Sequence, residues 1–130
     1  MLPEERAREK IDKQLINVGW DIVSRNEYVP KSTSAVKEAL MKGNTESDYL
    51  LFVDDKAIAV VEAKREENLL GPEVEKQAED YARGPQNWYG LWYQNLTPLV
   101  YMANGKKIYF KNMLTNPDGD YVELKEMHSP

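Results

Sequence analysis

The sequence predicts a mixed α/β domain in which helices cover the faces of one β-sheet. Three observations support this class: an amphipathic helix near the start, an apolar hairpin within residues 46–64, and a second helix that follows the hairpin. A second hairpin lies near the end, and this order of helices and hairpins is typical of a mixed sheet with helices packed on it. Because 130 residues are enough to bury one core, we expect a single domain over residues 1–130.

The composition excludes several kinds of site. The chain has no cysteine and one histidine, His128, in a polar tail where we expect it to be solvated, so disulfides, thiolate metal sites and histidine catalysis are not expected. No apolar run has membrane-spanning length and no signal peptide is evident, so we expect a cytoplasmic protein with no membrane partner. The net charge of −5 argues against DNA binding without help, because DNA affinity depends on Lys and Arg.

The two helices are predicted from their apolar stripes and from the residues that begin and end them. The first covers residues 3–18, up to Gly19, and the second covers residues 72–83, up to the Gly-Pro pair at 84–85. The inner faces are Ala7, Ile11, Leu15 and Val18 in the first helix and Val74, Ala78, Tyr81 and Ala82 in the second. Off the first stripe lie three charged residues, which form either a solvated surface or an edge that reaches a site: Glu5, Arg8 and Glu9.

The segment between the first helix and the hairpin is harder to interpret. Residues 20–24 alternate like a strand. Residues 26–44 fit either a short helix, capped at residues 32–34 and running through Leu40, or a loop with one short strand.

The last third of the chain is predicted to contain a second hairpin. Before it, residues 86–98 carry four aromatic side chains that fit core packing better than stacking on bases: Trp88, Tyr89, Trp92 and Tyr93. The hairpin covers residues 99–111 and turns at Asn104-Gly105, and a last short strand covers residues 121–124.

The central hairpin combines buried strands with charged ends. Residues 49–53 and 57–61 are nearly unbroken apolar runs, as in strands buried on both faces. Asp48 precedes the first run, and Glu62 and Lys64 share one face at the end of the second. If residues 54–56 are the whole loop, Val53 lies opposite Ala57 and Asp48 lies opposite Glu62, with Cβ atoms ~5 Å apart. A loop of two or four residues would shift the pairing by one and turn Asp48 to the other face.

This arrangement suits metal-dependent hydrolysis of phosphodiesters. Two carboxylates bind hard Mg²⁺ through oxygen, the metal activates water, and a neighbouring lysine such as Lys64 orients that water and offsets phosphate charge. The same spacing also arises by chance from surface charges at strand ends. Gln77 and Tyr81 lie four residues apart on one side of the second helix, where they either edge this site or belong to the core and its boundary.

The chain resembles the N-terminal nuclease domain of the restriction (motor) subunit of type I restriction–modification enzymes. The resemblance extends over nearly the whole chain, including a Gln-x-x-x-Tyr motif at residues 77–81. Its other stretches are residues 3–12, Leu15, Gly19-Trp20, residues 47–54, 61–65 and 98–110, Asn112 and residues 126–130. Two residues depart from the family pattern, Ser47 in place of an alanine and Asp55 in place of a turn glycine, and neither belongs to the trio Asp48, Glu62 and Lys64.

The resemblance implies a restriction-endonuclease-like three-layer α/β/α sandwich of the PD-(D/E)-x-K nuclease superfamily. It implies that Asp48 and Glu62 bind Mg²⁺, or Mn²⁺ as a substitute, with the Ala63 carbonyl as a further ligand. Lys64 then assists the attacking water. Gln77 and Tyr81 position DNA or support the site, and Glu5 corresponds to an acidic residue of the first helix in related nucleases.

The resemblance also implies partners that this sequence lacks. In the family, a helicase-like motor in the same subunit uses ATP, and methylation and specificity subunits complete the enzyme on double-stranded DNA. No phosphate-binding loop occurs here, so we expect the chain to be an N-terminal fragment or a stand-alone copy. One alternative is a non-catalytic module of the same fold that serves structure or DNA docking. A resolvase-type or repair-type nuclease would require a strongly basic surface, which the composition does not support.

Overall fold

The computed structural model describes residues 3–24, 33–41, 45–54, 56–68, 70–84, 90–91, 97–116 and 118–130. Within these ranges the chain forms two helices and eight strands. They are α1 (Pro3–Asn17), β1 (Asp21–Ser24), β2 (Ser34–Met41), β3 (Thr45–Val53), β4 (Lys56–Ala63), α2 (Pro72–Ala82), β5 (Gly90–Leu91), β6 (Leu99–Ala103), β7 (Ile108–Asn112) and β8 (Val122–Leu124). Neither of these two helices is both long enough and apolar enough to cross a bilayer.

All the strands belong to one mixed sheet. Their order is β1-β2-β3-β4-β6-β7-β8, and β5 pairs with the beginning of β4. β1 runs parallel to β2, and β4 runs parallel to both β5 and β6, while the other neighbouring pairs are antiparallel. The central position of β4 explains its apolar run, because a strand paired on both edges and covered on both faces excludes water.

The two helices cover opposite faces of the sheet. On one face α2 packs through Val74, Ala78 and Ala82, together with Leu70, on residues of the central strands that include Val60 and Val100. On the other face α1 packs through Ile11 and Leu15 on a set that includes Tyr49, Val61 and Tyr101. The predicted inner faces of the helices, including partly buried Tyr81, are therefore confirmed, as is the three-layer α/β/α arrangement.

Residues 34–41 form a strand, so the helix considered for this segment is wrong and the single strand is confirmed, although it is eight residues long. The helix-like spacing of the apolar residues has a local cause. Glu38 has a left-handed φ of 55°, which interrupts the alternation of side chains along β2. Val36 and Ala39, three residues apart, consequently both contribute to the core on the α2 face. Residues 25–32 and 42–44 lie outside the described ranges.

The end of the chain packs on the sheet. Trp20 is buried, and its indole N–H donates to the carbonyl oxygen of His128 at 2.8 Å. The imidazole Nδ1 atom of His128 lies 2.8 Å from the hydroxyl oxygen of Tyr101, and its ring packs edge-on against Phe110. His128 is exposed overall, as expected of a tail residue, but these contacts fix its ring in place. The four aromatic residues between 88 and 93 lie outside the described ranges.

Candidate active site at the end of the central hairpin

The β3–β4 hairpin turns in a way that the sequence did not predict. Val53 pairs with Lys56, so residues 54 and 55 form the connection, and the expected three-residue loop with Val53 opposite Ala57 is wrong. Asp54 takes a left-handed φ of 50°, a conformation that aspartate tolerates better than most residues. Asp55, which stands in place of the family's turn glycine, lies outside the described residues.

A β-bulge nevertheless restores the predicted pairing at the site. Phe52 pairs with Ala57 but Leu51 pairs with Ala59, which leaves Ile58 as an extra residue on β4. The bulge offsets the shorter turn, and beyond it Tyr49 pairs with Val61. The next step in this register brings Asp48 opposite Glu62, as the sequence predicted.

Asp48 is held by contacts from both sides. Its Oδ2 atom accepts a hydrogen bond from the backbone N–H of Ala63 at 2.7 Å. Its Oδ1 atom forms an ion pair with the guanidinium of Arg8, which reaches over from α1. The Asp48 side chain is only 12% exposed, so these contacts hold a carboxylate with little access to water.

Glu62 lies deeper than Asp48 and lacks a full set of partners. The residue is 4% exposed, and within the described part of the chain its Oε2 atom is buried without a hydrogen-bond partner. Burial raises the pKa of Glu62 to about 9, and the Asp48 carboxylate adds to the shift through its charge and a hydrogen bond, while Lys64 opposes it. The carboxyl groups of Asp48 and Glu62 are therefore close together in a buried place, where too little water is present to stabilise two negative charges.

Lys64 completes the predicted trio. Its Nζ atom lies 3.6 Å from Oε1 of Glu62, and its side chain is 26% exposed, so the ammonium lies at the edge of the site. Its backbone N–H donates to the carbonyl of Ala103 at 2.9 Å, which fixes the end of β4 against β6. Buried Asn104 adds support, because its amide donates to the carbonyl of Asn68 at 2.7 Å in the loop after Lys64.

The structure adds Arg8 and Glu38 to this cluster. The Arg8 Nη1 atom lies 3.3 Å from Oε1 of Glu38, and the β2–β3 register sets Glu38 opposite Asp48. Of the three charged residues off the α1 stripe, Glu5 and Glu9 are exposed, as on a solvated surface, whereas Arg8 reaches Asp48. Asp12 lies one turn later and contacts the Tyr49 hydroxyl, so the i, i+4 pair Arg8 and Asp12 beside the apolar stripe was the available signal. Nothing in the local sequence pointed to Glu38.

The other predicted residues are carried by the two helices. Gln77 and Tyr81 are half-buried on α2. Val61 packs on the α1 face of the sheet, so its neighbour Glu62 projects toward the face that α2 covers. Glu5 is exposed on α1. Among the residues that the structure describes, no hydrogen bond or ion pair joins Gln77, Tyr81 or Glu5 to the trio.

The donor atoms fit a hard divalent cation. Asp48 and Glu62 supply carboxylate oxygens, and the buried unpartnered Oε2 atom of Glu62 has capacity for a ligand. The N–H and C=O of one strand residue point to the same side, so the Ala63 carbonyl is directed toward Asp48 together with its N–H. In the described ranges no group of three or more His, Cys, Asp or Glu side chains is arranged for a metal, so such an ion would depend on two carboxylates and backbone oxygen.

The fold is similar to that of part of a solved enzyme. The chain is similar in structure to the type IIG restriction endonuclease BpuSI, with a TM-score of 0.59 at 16% sequence identity over 96% of this chain. The match covers 13% of the BpuSI chain, so the present chain corresponds to a small part of that enzyme. The mixed sheet with a helix on each face is thus a fold found in a restriction endonuclease.

A family model is more specific. The model described as "Type I restriction enzyme EcoKI endonuclease subunit second domain" matches residues 25–119. The chain therefore belongs to this family of domains from type I restriction endonuclease subunits. The description calls the domain the second of its subunit, whereas the resemblance implied the N-terminal one. The matched stretch includes Asp48, Glu62, Lys64, Gln77 and Tyr81 but not α1. No curated protein matches the chain.

Proposed function

We propose that this chain is an Mg²⁺-dependent DNA endonuclease domain of the PD-(D/E)-x-K superfamily, acting within the restriction subunit of a type I restriction enzyme. In this role it hydrolyses phosphodiester bonds of unmodified foreign DNA away from the recognition site. The observation that carries the proposal is the convergence of Asp48 with Glu62, whose buried Oε2 atom has no partner among the described residues. Family membership supports the choice of DNA as substrate.

The charges of the site favour a cation. Without one, the raised pKa of about 9 keeps Glu62 protonated at neutral pH, since two close carboxylates in a buried place repel each other. Even with the hydrogen bond to Asp48, the buried Oε2 atom of Glu62 has no partner among the described residues, and an unsatisfied buried polar atom destabilises a core. A divalent ion lets both carboxylates ionise, and we take this as the reason for placing them together.

The chain's own residues then have distinct tasks. Asp48, Glu62 and the Ala63 carbonyl hold the ion, which when bound polarises the phosphate and acidifies a water molecule. Lys64, with its ammonium beside Glu62 at the edge of the site, orients that water and offsets charge on the phosphate. The N–H of Ala63 holds Asp48 in the orientation that this binding needs.

The remaining parts of the proposal concern DNA and the larger enzyme. Gln77 and Tyr81 position DNA or support the site from α2, and Glu5 is an accessory acidic residue on α1. Double-stranded DNA is brought by a helicase-like motor of the same subunit, which uses ATP, together with methylation and specificity subunits. Such an arrangement accounts for a net charge of −5 in a DNA-cleaving domain and implies a cytoplasmic location.

One observation favours a second candidate, a non-catalytic module for structure or DNA docking. Arg8 already neutralises Asp48, so the site balances that charge without any metal.

A cleavage assay separates the candidates: the assembled enzyme, with wild-type or Glu62→Gln subunit, is incubated with unmodified plasmid, ATP and Mg²⁺. We expect the variant to lose cleavage at least about 10³-fold, because it loses a metal ligand. The matched control is Glu67→Gln, whose side chain is exposed and lies 4.0 Å from that of Arg65, and which should leave cleavage unchanged. Equal cleavage by the Glu62 variant would favour the docking module.

A further inference from the structure

Arg8 occupies a position that the proposed metal would need. Its guanidinium joins Oδ1 of Asp48 and Oε1 of Glu38, and its side chain is 25% exposed. The Nε atom of Arg8 is buried without a hydrogen-bond partner among the described residues. The guanidinium therefore binds its two carboxylate partners through its Nη atoms and not through Nε.

The acidic residues form a row across three neighbouring strands. Glu38 on β2 lies opposite Asp48 on β3, because Lys37 pairs with Tyr49 and Ala39 pairs with Ser47. Asp48 in turn lies opposite Glu62 on β4, and Lys64 lies at the far end of the row beside Glu62. Two protein cations thus contact the three carboxylates: Arg8 bridges Glu38 and Asp48, and Lys64 lies beside Glu62.

Asp48 has little capacity left for another cation. Its Oδ2 atom accepts from the N–H of Ala63, and its Oδ1 atom is paired with Arg8. A divalent ion on Asp48 would lie within a few ångströms of the guanidinium, and like charges repel strongly where both are shielded from water. Glu38 provides the guanidinium with another partner, and its side chain is 57% exposed. Release of Arg8 from Asp48 therefore does not leave a buried arginine without a counter-ion.

On the basis of the proposed function, we infer that Arg8 and the divalent ion compete for Asp48. Arg8 is a positioning residue that neutralises Asp48 in the metal-free domain and gives up Oδ1 when the ion binds, keeping Glu38. The metal-free site is thereby held folded and charge-balanced, and metal affinity is lowered by the work of displacing the guanidinium.

The test is a titration of the 130-residue chain with Mn²⁺, without DNA, for wild type, Arg8→Met and Arg8→Lys. Met keeps an unbranched apolar stem and removes the charged end, so we expect Arg8→Met to bind Mn²⁺ about tenfold more tightly. Arg8→Lys keeps a positive charge beside Asp48, so its affinity for Mn²⁺ should lie closer to wild type than that of Arg8→Met. The matched control is Lys37→Met, which removes a cation from the same α1–β2 contact but from Asp12 rather than Asp48, and should stay within about twofold of wild type.

Whether Arg8→Met binds Mn²⁺ more tightly or more weakly than wild type decides the inference. If Arg8 only orients Asp48 for the metal, Arg8→Met will bind Mn²⁺ more weakly, and the inference is overturned. A crystal of wild-type protein soaked in Mn²⁺ gives an independent answer: the guanidinium should have left Oδ1 of Asp48 and kept Glu38, and an intact Arg8–Asp48 pair beside bound Mn²⁺ contradicts the competition. If wild type and Arg8→Met both bind no Mn²⁺, the proposed metal site itself is wrong. If wild type binds Mn²⁺ but Arg8→Met does not bind it more tightly, only the role inferred for Arg8 is wrong.

Discussion

The backbone N–H of Ala63 donates a hydrogen bond to the Oδ2 atom of Asp48 at 2.7 Å. This contact lies just beyond the last ladder pair of the hairpin, Tyr49 with Val61, and replaces the backbone bonds that would otherwise continue it. The carboxylate is thus held by the strand that carries Glu62 and Lys64. The orientation of Asp48 and the position of Glu62 are therefore linked through one peptide unit.

A metal should bind between the two carboxylates. We expect crystals soaked in Mn²⁺ to show one anomalous peak at ligand distances of ~2.1 Å from oxygens of Asp48 and Glu62. The Ala63 carbonyl should be a further ligand, because it projects to the same side as its N–H. A peak only at exposed carboxylates elsewhere on the chain would contradict this site.

Loss of the trio should separate cleavage from translocation. In the full restriction subunit, Asp48→Ala or Lys64→Ala should reduce DNA cleavage at least about 10³-fold, because each removes a group needed at the reacting phosphate. ATP hydrolysis and DNA translocation should stay within about twofold of wild type, since the proposed enzyme has its motor in a separate domain. Both are measured on the same preparations, with Glu67→Ala as the exposed control. Full cleavage by either trio variant would remove that residue from the mechanism.

Gln77 and Tyr81 should matter less than the trio. Gln77→Ala and Tyr81→Phe should lower the cleavage rate about 3- to 30-fold, because neither side chain is a strong metal ligand or base. Tyr81→Phe keeps the ring that packs in the α2 core, so thermal unfolding of this variant should match wild type. Exposed Lys76 on the same helix provides the control variant Lys76→Ala. If cleavage by Gln77→Ala equals that of wild type, Gln77 is only a boundary residue of the helix.

Glu62 should make the metal-free domain less stable as pH rises. Its folded-state pKa of about 9 lies above the ordinary value of 4.5, so the folded state holds the proton more tightly, and the associated stability is lost through this window. Between about pH 5 and about pH 8, the free energy of unfolding in EDTA should fall by on the order of 4 kcal/mol through this group. Glu62→Gln should remove that slope, whereas Glu67→Gln should keep it. Urea unfolding at several pH values measures this, and equal slopes in wild type and Glu62→Gln would contradict it.

The chain by itself should bind DNA weakly. With 22 acidic and 17 basic residues it has few cations to spare for phosphates, so we expect a dissociation constant at or above ~10⁻⁴ M at physiological salt, without sequence preference. In the enzyme we propose, a motor would raise the local concentration of DNA at the site. A titration of labelled duplexes of different sequence measures both points. Tight and sequence-selective binding would mean that the chain carries its own recognition surface.

The sequence by itself determined the elements that local patterns encode. The stripe of Ala7, Ile11 and Leu15 specified α1, because residues four apart on a helix share a face. The two apolar runs of the hairpin specified buried strands, and Asp48, Glu62 and Lys64 were recognisable as charges at the ends of those strands. These signals depend on neighbours within a few positions, so they can be read from the chain alone.

Only the tertiary structure decided how those elements meet. The two-residue turn after Val53 and the bulge at Ile58 change the register in opposite directions, and the sequence does not show that they cancel. The left-handed backbone at Glu38 gives the apolar residues of strand β2 a spacing that is typical of a helix. Arg8 reaches Asp48, 40 residues away, only because α1 packs on the strand that holds it. Such contacts depend on the free energy of the whole packed core, and no local pattern encodes them.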